Sequence, residues 1–414
     1  MIPYGRQEIT EADIDEVNKV LRSDFLTQGP TVPRFEQSVA NYCGVSNAIA
    51  VNSATSALHI ACLALDLSPG DWLWTSPNTF VASANCGRYC GADIDFVDID
   101  PKTYNICVDS LSKKLEQAEK SGRLPKIIVV VHFAGQPSDM KAIYDLSKLY
   151  GFKIIEDASH AIGASYNQIK VGSCIHSDIT IFSFHPVKII TTAEGGMALT
   201  NDKTIADKLF RLRTHGIVND KTKMKERHKD EIWNYQQIDL GFNYRMSDIH
   251  AAIGLNQMSR LDKYVSRRHE IAKYYDTELK NLSLVTPWQA PNFYSSYHLY
   301  PILTKNDLNN KSQRQVYDEL IKNNIEVNLH YTPVHRHPYY ENLGFKKNDF
   351  PVAEKFHQEV ISIPMYAMLK DEDQKYVIET LKKKVLEFRQ FWFWQLRLCV
   401  FYTLVWTICT INIE

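Results

Sequence analysis

Apolar positions recur with helical spacing at the start of the chain and with strand-like brevity thereafter. Thr10 and Asp13 read as an N-cap with an acid three residues on. Ile14, Val17, Val20 and Leu21 then mark the predicted apolar face of a first helix. Ser23 to Pro33, with Gln28-Gly29-Pro30, reads as a loop. A second helix follows through Phe35, Val39 and Tyr42, with Gly44 as its left-handed cap. From Ala48 short apolar runs alternate with helical patterns. Strands are predicted at 48–51, 72–75, 94–97, 127–131 and 153–156, and another from 178 into the stretch that ends at Lys188. The helices between them pass through Leu58–Leu65, from Thr79 to Tyr89, from Ser110 to Lys120 and over 140–149. Ile127 to Val131 is apolar throughout, as a strand buried on both faces requires. This alternation predicts an α/β sheet covered by helices. A helix follows over 203–215, then an exposed charged segment, Lys221 to Asp230, and a helix through Ile253 and Leu261 that carries on past Tyr275. Beyond it, 298–302, a helix over 313–322 and a strand at 327–330 suggest a small α+β domain, closed by an amphipathic helix over 377–388.

The expected organisation is therefore N-terminal helices and a substrate loop (1–45), a large domain (46–264), a small domain (265–388) and an atypical tail (389–414). That tail is dominated by aromatic and aliphatic residues and is just long enough to cross a bilayer of ~30 Å. It also carries Arg397, so a membrane-associating tail and a non-native C-terminus both remain open.

Composition narrows the classes. Lysine plus arginine number 47 against 48 acids in 414 residues, so nothing favours nucleic acid. No signal peptide precedes the first helix. The eight cysteines are scattered, as expected for reduced thiols in a cytoplasmic protein. Cys86 and Cys90 share a helical face and are expected to pack there. His330, His335 and His337 lack a carboxylate or cysteine to complete a set, so no metal is expected.

The candidate chemistry centres on Asp178 to Gly196, a strand, a His-Pro turn, one lysine and two glycines. Lys188 among apolar residues can be a snorkelling side chain or an amine nucleophile of lowered pKa. A pyridoxal phosphate site needs such an amine, an acid opposite the pyridinium nitrogen, an aromatic face and phosphate donors. Asp157 ends a strand and can be that acid, or simply cap the next turn. Ser53-Ala-Thr-Ser56 lies between strand and helix, where N–H groups and hydroxyls can hold an anion or merely cap. Phe80 can stack on a ring or belong to the core.

The order of these motifs carries a resemblance. Leu26-Thr-Gln-Gly-Pro30, Asn52-Ser-Ala-Thr-Ser-Ala-Leu58, His132-Phe-Ala-Gly-Gln-Pro137, Glu156-Asp-Ala-Ser-His-Ala161, Phe182-Ser-Phe184, Lys188 with Thr191-Thr-Ala-Glu-Gly-Gly196, and Gly241-Phe-Asn-Tyr-Arg-Met246 resemble the DegT/DnrJ/EryC1/StrS sugar-nucleotide aminotransferases. The resemblance runs from about Tyr4 to Phe388. It implies the aspartate aminotransferase (type I) fold, a large mostly parallel α/β/α domain with a small α+β domain, and pyridoxal 5′-phosphate as cofactor.

By resemblance, Lys188 forms the internal aldimine and shuttles the proton, Asp157 keeps the ring nitrogen protonated, and His160 sits beside the ring. Phe80 stacks on it. Thr55, Ser56 and Ser183 hold the phosphate, and Asn243 reaches the phosphate of a neighbouring subunit, which implies a homodimer with shared sites. Gln28, Gly29, Glu194, His330 and Tyr331 are the implied sugar-nucleotide contacts. The Ser-Ala-Thr-Ser and Thr-Thr-Ala-Glu-Gly-Gly variants, with Ser296-Tyr-His-Leu-Tyr-Pro-Ile302 and His330-Tyr-Thr-Pro-Val334, look like one branch of the family. That branch aminates UDP-2-acetamido-2,6-dideoxy-β-L-arabino-hex-4-ulose in the pseudaminic-acid pathway. L-Glutamate is the expected donor. Rival expectations are another nucleotide-linked keto-sugar (a dTDP-4-keto-6-deoxyhexose or the UDP-bacillosamine precursor), a cofactor-binding regulator, and a sugar dehydratase. Relatives of the last kind carry histidine where Lys188 stands.

Overall fold

The computed structural model describes residues 1–383 apart from 227, 229, 231, 233 and 305–310. The last part of the helix expected over 377–388 and the tail 389–414 lie outside the described residues.

Seven strands form the central sheet: β1 (Asn47–Val51), β2 (Trp72–Thr75), β3 (Asp93–Phe96), β4 (Ile127–Val131), β5 (Lys153–Asp157), β6 (Ile179–Ser183) and β7 (Gly196–Thr200). Their order is β1-β7-β6-β5-β4-β2-β3. All run one way except β7, which is antiparallel to both neighbours. Every residue of β4, β6 and β7 is buried, as strands covered on both faces must be. The covering helices include α1 (Glu11–Leu21), α2 (Thr31–Cys43), α3 (Ala54–Ala64), α4 (Ala82–Tyr89), α5 (Val108–Ser121), α6 (Met140–Tyr150), α7 (Lys203–Leu212) and α8 (Asp248–Met258).

The α/β class and the mostly parallel sheet agree with the pattern of the sequence. Gly44 takes its expected left-handed cap, at φ 70°. Several elements differ. α4 begins at Ala82 rather than Thr79, after a tight turn. The helix expected to run on from Ile253 past Tyr275 is two, α8 and α9 (Leu261–Leu279), separated at Ser259–Arg260. The expected strand at 327–330 makes one isolated bridge, Asn328 to Ser362. The charged segment contains a short 3-10 turn over Lys221–Lys223.

α1 departs most from its pattern. Of the predicted face, Val20 is buried, whereas Ile14 and Leu21 are 44% and 53% exposed. The helix is held instead through Asp13, which is buried and paired with Arg260 at 2.7 Å and Asn256 at 2.8 Å. Burial works to raise that carboxyl, but the hydrogen bonds from Arg260, Thr10 and Asn256 together outweigh it and keep it below the usual range.

α9 bridges two apolar clusters. Leu261, Tyr264 and Val265 pack beneath the sheet with Phe182, Phe184 and Met197. Ile271, Ala272, Tyr275 and Leu279 pack in a second cluster. That cluster contains β8 (Tyr300–Leu303), β9 (Val360–Ile363), α10 (Gln313–Lys322) and the helical residues 371–383. β8 and β9 pair antiparallel. Among the described residues no helix is long and apolar enough to cross a membrane.

Candidate active site

The carboxyl ends of the parallel strands share one edge, and a cavity of about 460 Å³ opens there. This is where an open α/β sheet binds ligands. Ser53, Ala54 and Thr55 follow β1, Thr79 and Phe80 follow β2, Asp157 ends β5 and Ser183 ends β6. Because β7 is reversed, its first residues, not its last, lie at this edge, and Gly195 reaches the lining.

Lys188 sits in the loop between β6 and β7. Backbone bonds from Phe184 N to Gly195 O (2.9 Å) and from Thr192 N to Phe184 O (3.0 Å) close that loop. Ile189, Ile190, Thr191 and Thr192 are buried beneath it, and Thr191 N donates to Gln257 Oε1 at 3.0 Å. The lysine is thus presented from a fixed base. Burial pushes its ammonium down to about 8, against the opposing pull of Asp157. An amine so poised is nucleophilic near neutral pH.

Asp157 is only 6% exposed. Its Oδ2 accepts from Ser83 Oγ at 2.6 Å, and its Oδ1 accepts from Ser159 Oγ at 2.6 Å and Ser159 N at 3.2 Å. His160 lies beside it. Its Nδ1 accepts from Ala134 N at 3.3 Å, leaving Nε2 as the N–H donor toward Tyr331 Oη at 3.1 Å. Gly135 makes this turn possible. At φ 100°, an added Cβ would lie 2.6 Å from Ser296 Oγ and 3.0 Å from His160 O.

Three imidazoles crowd this wall and all are held neutral. Burial, then Lys188 and His330, drive His160 well below its ordinary value. His298, with its ring centroid 4.3 Å from that of His160, is lowered by burial and by His160. Its buried Nδ1 has no hydrogen-bond partner. Burial and Lys188 bring His330 down to about 3, and its Nδ1 lies 2.9 Å from Ser362 Oγ. Burial, with Asp157 and Tyr4, raises the Tyr331 hydroxyl.

One end of the cavity is built on α3. Ser53 caps it, its Oγ accepting from Ser56 N at 3.1 Å, and the first-turn N–H groups of Ala54 and Thr55 stand at the positive end of the helix. Gly196 lets β7 press against this point, since an added Cβ would lie 2.4 Å from Ala54 N. Ser183 faces the same space.

Of the residues singled out in the sequence, Lys188, Asp157, His160, Thr55, Phe80, Ser183, Glu194, His330 and Tyr331 all line the cavity. Phe80 is 58% exposed, with its ring 6.4 Å from that of Tyr331. Ser56 stands behind Thr55 and donates to Asn52 Oδ1 at 2.7 Å. Gln28 and Gly29 lie away from the lining, where Gly29 N donates to Asp248 Oδ1 at 3.3 Å. Asn243 is exposed beyond the cavity, beside Asn52. His335 is buried against Glu354 at 2.9 Å. Sequence reasoning missed Tyr4, Thr79, Ser83, His298 and Asn328. His298 sat within a quoted motif, and its polarity amid an apolar run was the available signal.

These groups fit pyridoxal phosphate: a poised amine, a carboxylate with spare acceptor capacity, and an anion cradle at a helix start, around one cavity. Fold and site together define a pyridoxal-phosphate enzyme of the aspartate aminotransferase fold. The match to the family model covers residues 7–382, and the chain belongs to the DegT/DnrJ/EryC1/StrS aminotransferase family. It is 37% identical to a UDP-4-amino-4,6-dideoxy-N-acetyl-β-L-altrosamine transaminase of Campylobacter jejuni, over 92% of this chain and 96% of the relative. It is 32% identical to GDP-perosamine synthase of Escherichia coli O157:H7, over 92% and 98%. Among solved structures, Helicobacter pylori PseC, an aminotransferase involved in the biosynthesis of pseudoaminic acid, superposes with a TM-score of 0.83 at 30% identity, over 93% and 99%. The protein is thus a sugar aminotransferase that uses pyridoxal phosphate.

Proposed function

We propose that the chain transfers the amino group of L-glutamate to C4 of UDP-2-acetamido-2,6-dideoxy-β-L-arabino-hex-4-ulose, giving UDP-4-amino-4,6-dideoxy-N-acetyl-β-L-altrosamine. The observation that carries this reading is the wall of Tyr4, His298, His330 and Tyr331 lining the same cavity as Lys188. His298, His330 and Tyr331 belong to the segments whose sequence is similar to the pseudaminic-acid branch. When bound, the cofactor supplies an electron sink for the carbon that loses or gains a proton. Lys188 Nζ holds and moves that proton, Asp157 faces the ring nitrogen, and the α3 start with Thr55 and Ser183 holds the phosphate. The neutral imidazoles and Tyr331 exclude water and offer hydrogen bonds to the sugar.

The protein works as a homodimer in the cytoplasm. The exposed row of Ile14, Leu21, Phe25 and Leu26 supports pairing, because apolar residues grouped this way mark interaction surfaces. Asn243 serves the partner's phosphate site in this reading, which its exposure outside its own cavity supports. The six cysteines among the described residues are free thiols, which supports a reducing compartment.

Incubation with glutamate and each nucleotide-linked 4-keto-sugar tests the substrate. Amination of the UDP-linked L-arabino hexulose is expected. Turnover of only a dTDP-4-keto-6-deoxyhexose, or of the UDP-bacillosamine precursor, replaces the substrate and leaves the chemistry. Lys188→Ala should abolish both turnover and the visible absorbance of the bound cofactor. Transamination retained in that variant would sink the central assignment.

A further inference from the structure

Ser83 is fully buried on the first turn of α4, and its hydroxyl serves no helix cap. It spans 74 residues of sequence to reach Asp157 Oδ2 at 2.6 Å, and Thr79 Oγ1 lies 2.7 Å behind it. A carboxylate only accepts, so Ser83 must give its proton to Asp157 and receive one from Thr79. The two hydroxyls therefore form a one-way relay that ends on Oδ2. On the other side, Oδ1 already holds two donors, both from Ser159. Each carboxylate oxygen has room for about two donors. The vacant acceptor position of Asp157 thus lies on Oδ2, beside Ser83.

We infer that Ser83, backed by Thr79, is a positioning residue that acts through Asp157. It orients Oδ2 toward the cavity and fills one of its acceptor positions, so that the proton shared with the cofactor ring stays on the ring nitrogen. The inference rests on Asp157 as the partner of that nitrogen. Hydrogen bonds donated to the charged form of an acid favour that form. Without the relay, Oδ2 loses its donor, the ring nitrogen would lose positive charge, and the electron sink would weaken. Neither the periodicity of the sequence nor the family motifs single out Ser83 or Thr79.

The test uses the full chain loaded with pyridoxal phosphate. Two quantities are read: retention of the cofactor, and the pH midpoint of its visible absorbance change. Ser83→Ala removes one oxygen from a packed site and should weaken retention ~10-fold, the scale of one hydrogen bond to a charged group. The midpoint should rise by about half a pH unit or more as the ring loses charge. Thr79→Val, which leaves Ser83 in place, should move the midpoint the same way by less. Ser83→Thr, which restores a hydroxyl, should return it toward the parent value. A folded Ser83→Ala protein with unchanged retention and midpoint overturns the inference. If Ser83→Ala does not fold, an unmoved midpoint in Thr79→Val overturns it instead. Asp157→Asn separates the two levels. If that variant also leaves the midpoint unmoved, the assignment of Asp157 fails. If it moves the midpoint while Ser83→Ala does not, only the relay fails.

Discussion

Glu156 and Asp157 are adjacent carboxylates on β5, equally buried, and they face opposite sides of the sheet. Glu156 holds three donors away from the cavity. Its Oε2 lies 2.7 Å from His132 Nε2, and its Oε1 accepts from Thr180 Oγ1 at 2.9 Å and from Ser177 Oγ. Ser138 N donates to His132 Nδ1 at 3.1 Å, so the imidazole is a neutral donor to the acid. Burial works to raise Glu156, and the His132 and hydroxyl donors more than offset it, leaving the carboxyl below its ordinary value. Asp157 also holds three donors, but its open acceptor position belongs to a side chain that lines the cavity. Two acids one residue apart thus do different work. One fastens β6 and the turn after β4 to β5, and the other is left available for a ligand. What separates them is the cavity that Asp157 faces, rather than burial or the number of donors.

The contrast predicts effects of different kinds. Asp157→Asn should lower turnover by ~10²–10³-fold, the range for losing one electrostatic group at a developing charge, with the melting temperature little changed. A comparable fall in melting temperature would erase the distinction. Glu156→Gln should do the reverse, costing about 1.5–3 kcal/mol of stability through lost charged hydrogen bonds, while the folded fraction keeps its turnover. Because the native carboxyl is depressed, that deficit should be full at neutral pH. It should shrink as pH falls below the ordinary value of 4.5 and through the native one. A denaturant series at several pH values reads it.

Lys188 sharpens the comparison further. The rate at which apoprotein takes up cofactor should rise ~10-fold per pH unit, following the fraction of neutral amine, and level off near the lysine's value of about 8. Asp157→Asn should move that midpoint down, since the aspartate opposes the shift, and Glu156→Gln should leave it in place. A midpoint near 10.5 in the parent protein would contradict the burial account. The smallest effect belongs to Tyr331→Phe. Losing one neutral hydrogen bond to His160 should cost ~2–10-fold in turnover, with stability unchanged. A loss as large as that of Asp157→Asn would make Tyr331 part of the proton chemistry.

Much of this was legible beforehand, for identifiable reasons. Ile127 to Val131 could only be a buried strand, and Thr55, Asp157, Ser183 and Lys188 each follow or end an apolar run, so the alternation itself placed them at one edge. The reversal of β7 was not legible, because a buried strand reads alike in both directions. Ile14 and Leu21 have correct helical spacing, but spacing marks an apolar face without saying what covers it. Ser83 looked like helix filler, since its partner lies 74 positions away. Periodicity also could not tell Glu156 from Asp157. Only the long-range partners His132, Ser177 and Thr180 do so.

The reversed strand has a consequence for how the molecule is made. Among the described residues β1 has β7 as its one sheet neighbour, with Asn47 bonded to Thr200 across 153 positions. The end of the cavity between the start of α3 and Gly196 therefore cannot close until the ribosome has delivered β7. At ~5–20 residues per second, that is roughly 8–30 s after β1 is synthesised. During that interval β1 is an apolar edge without a neighbour, and nascent chains are most open to mispairing there. Closure of that end of the cavity is thus a late event, reserved for chains that have already completed their sheet.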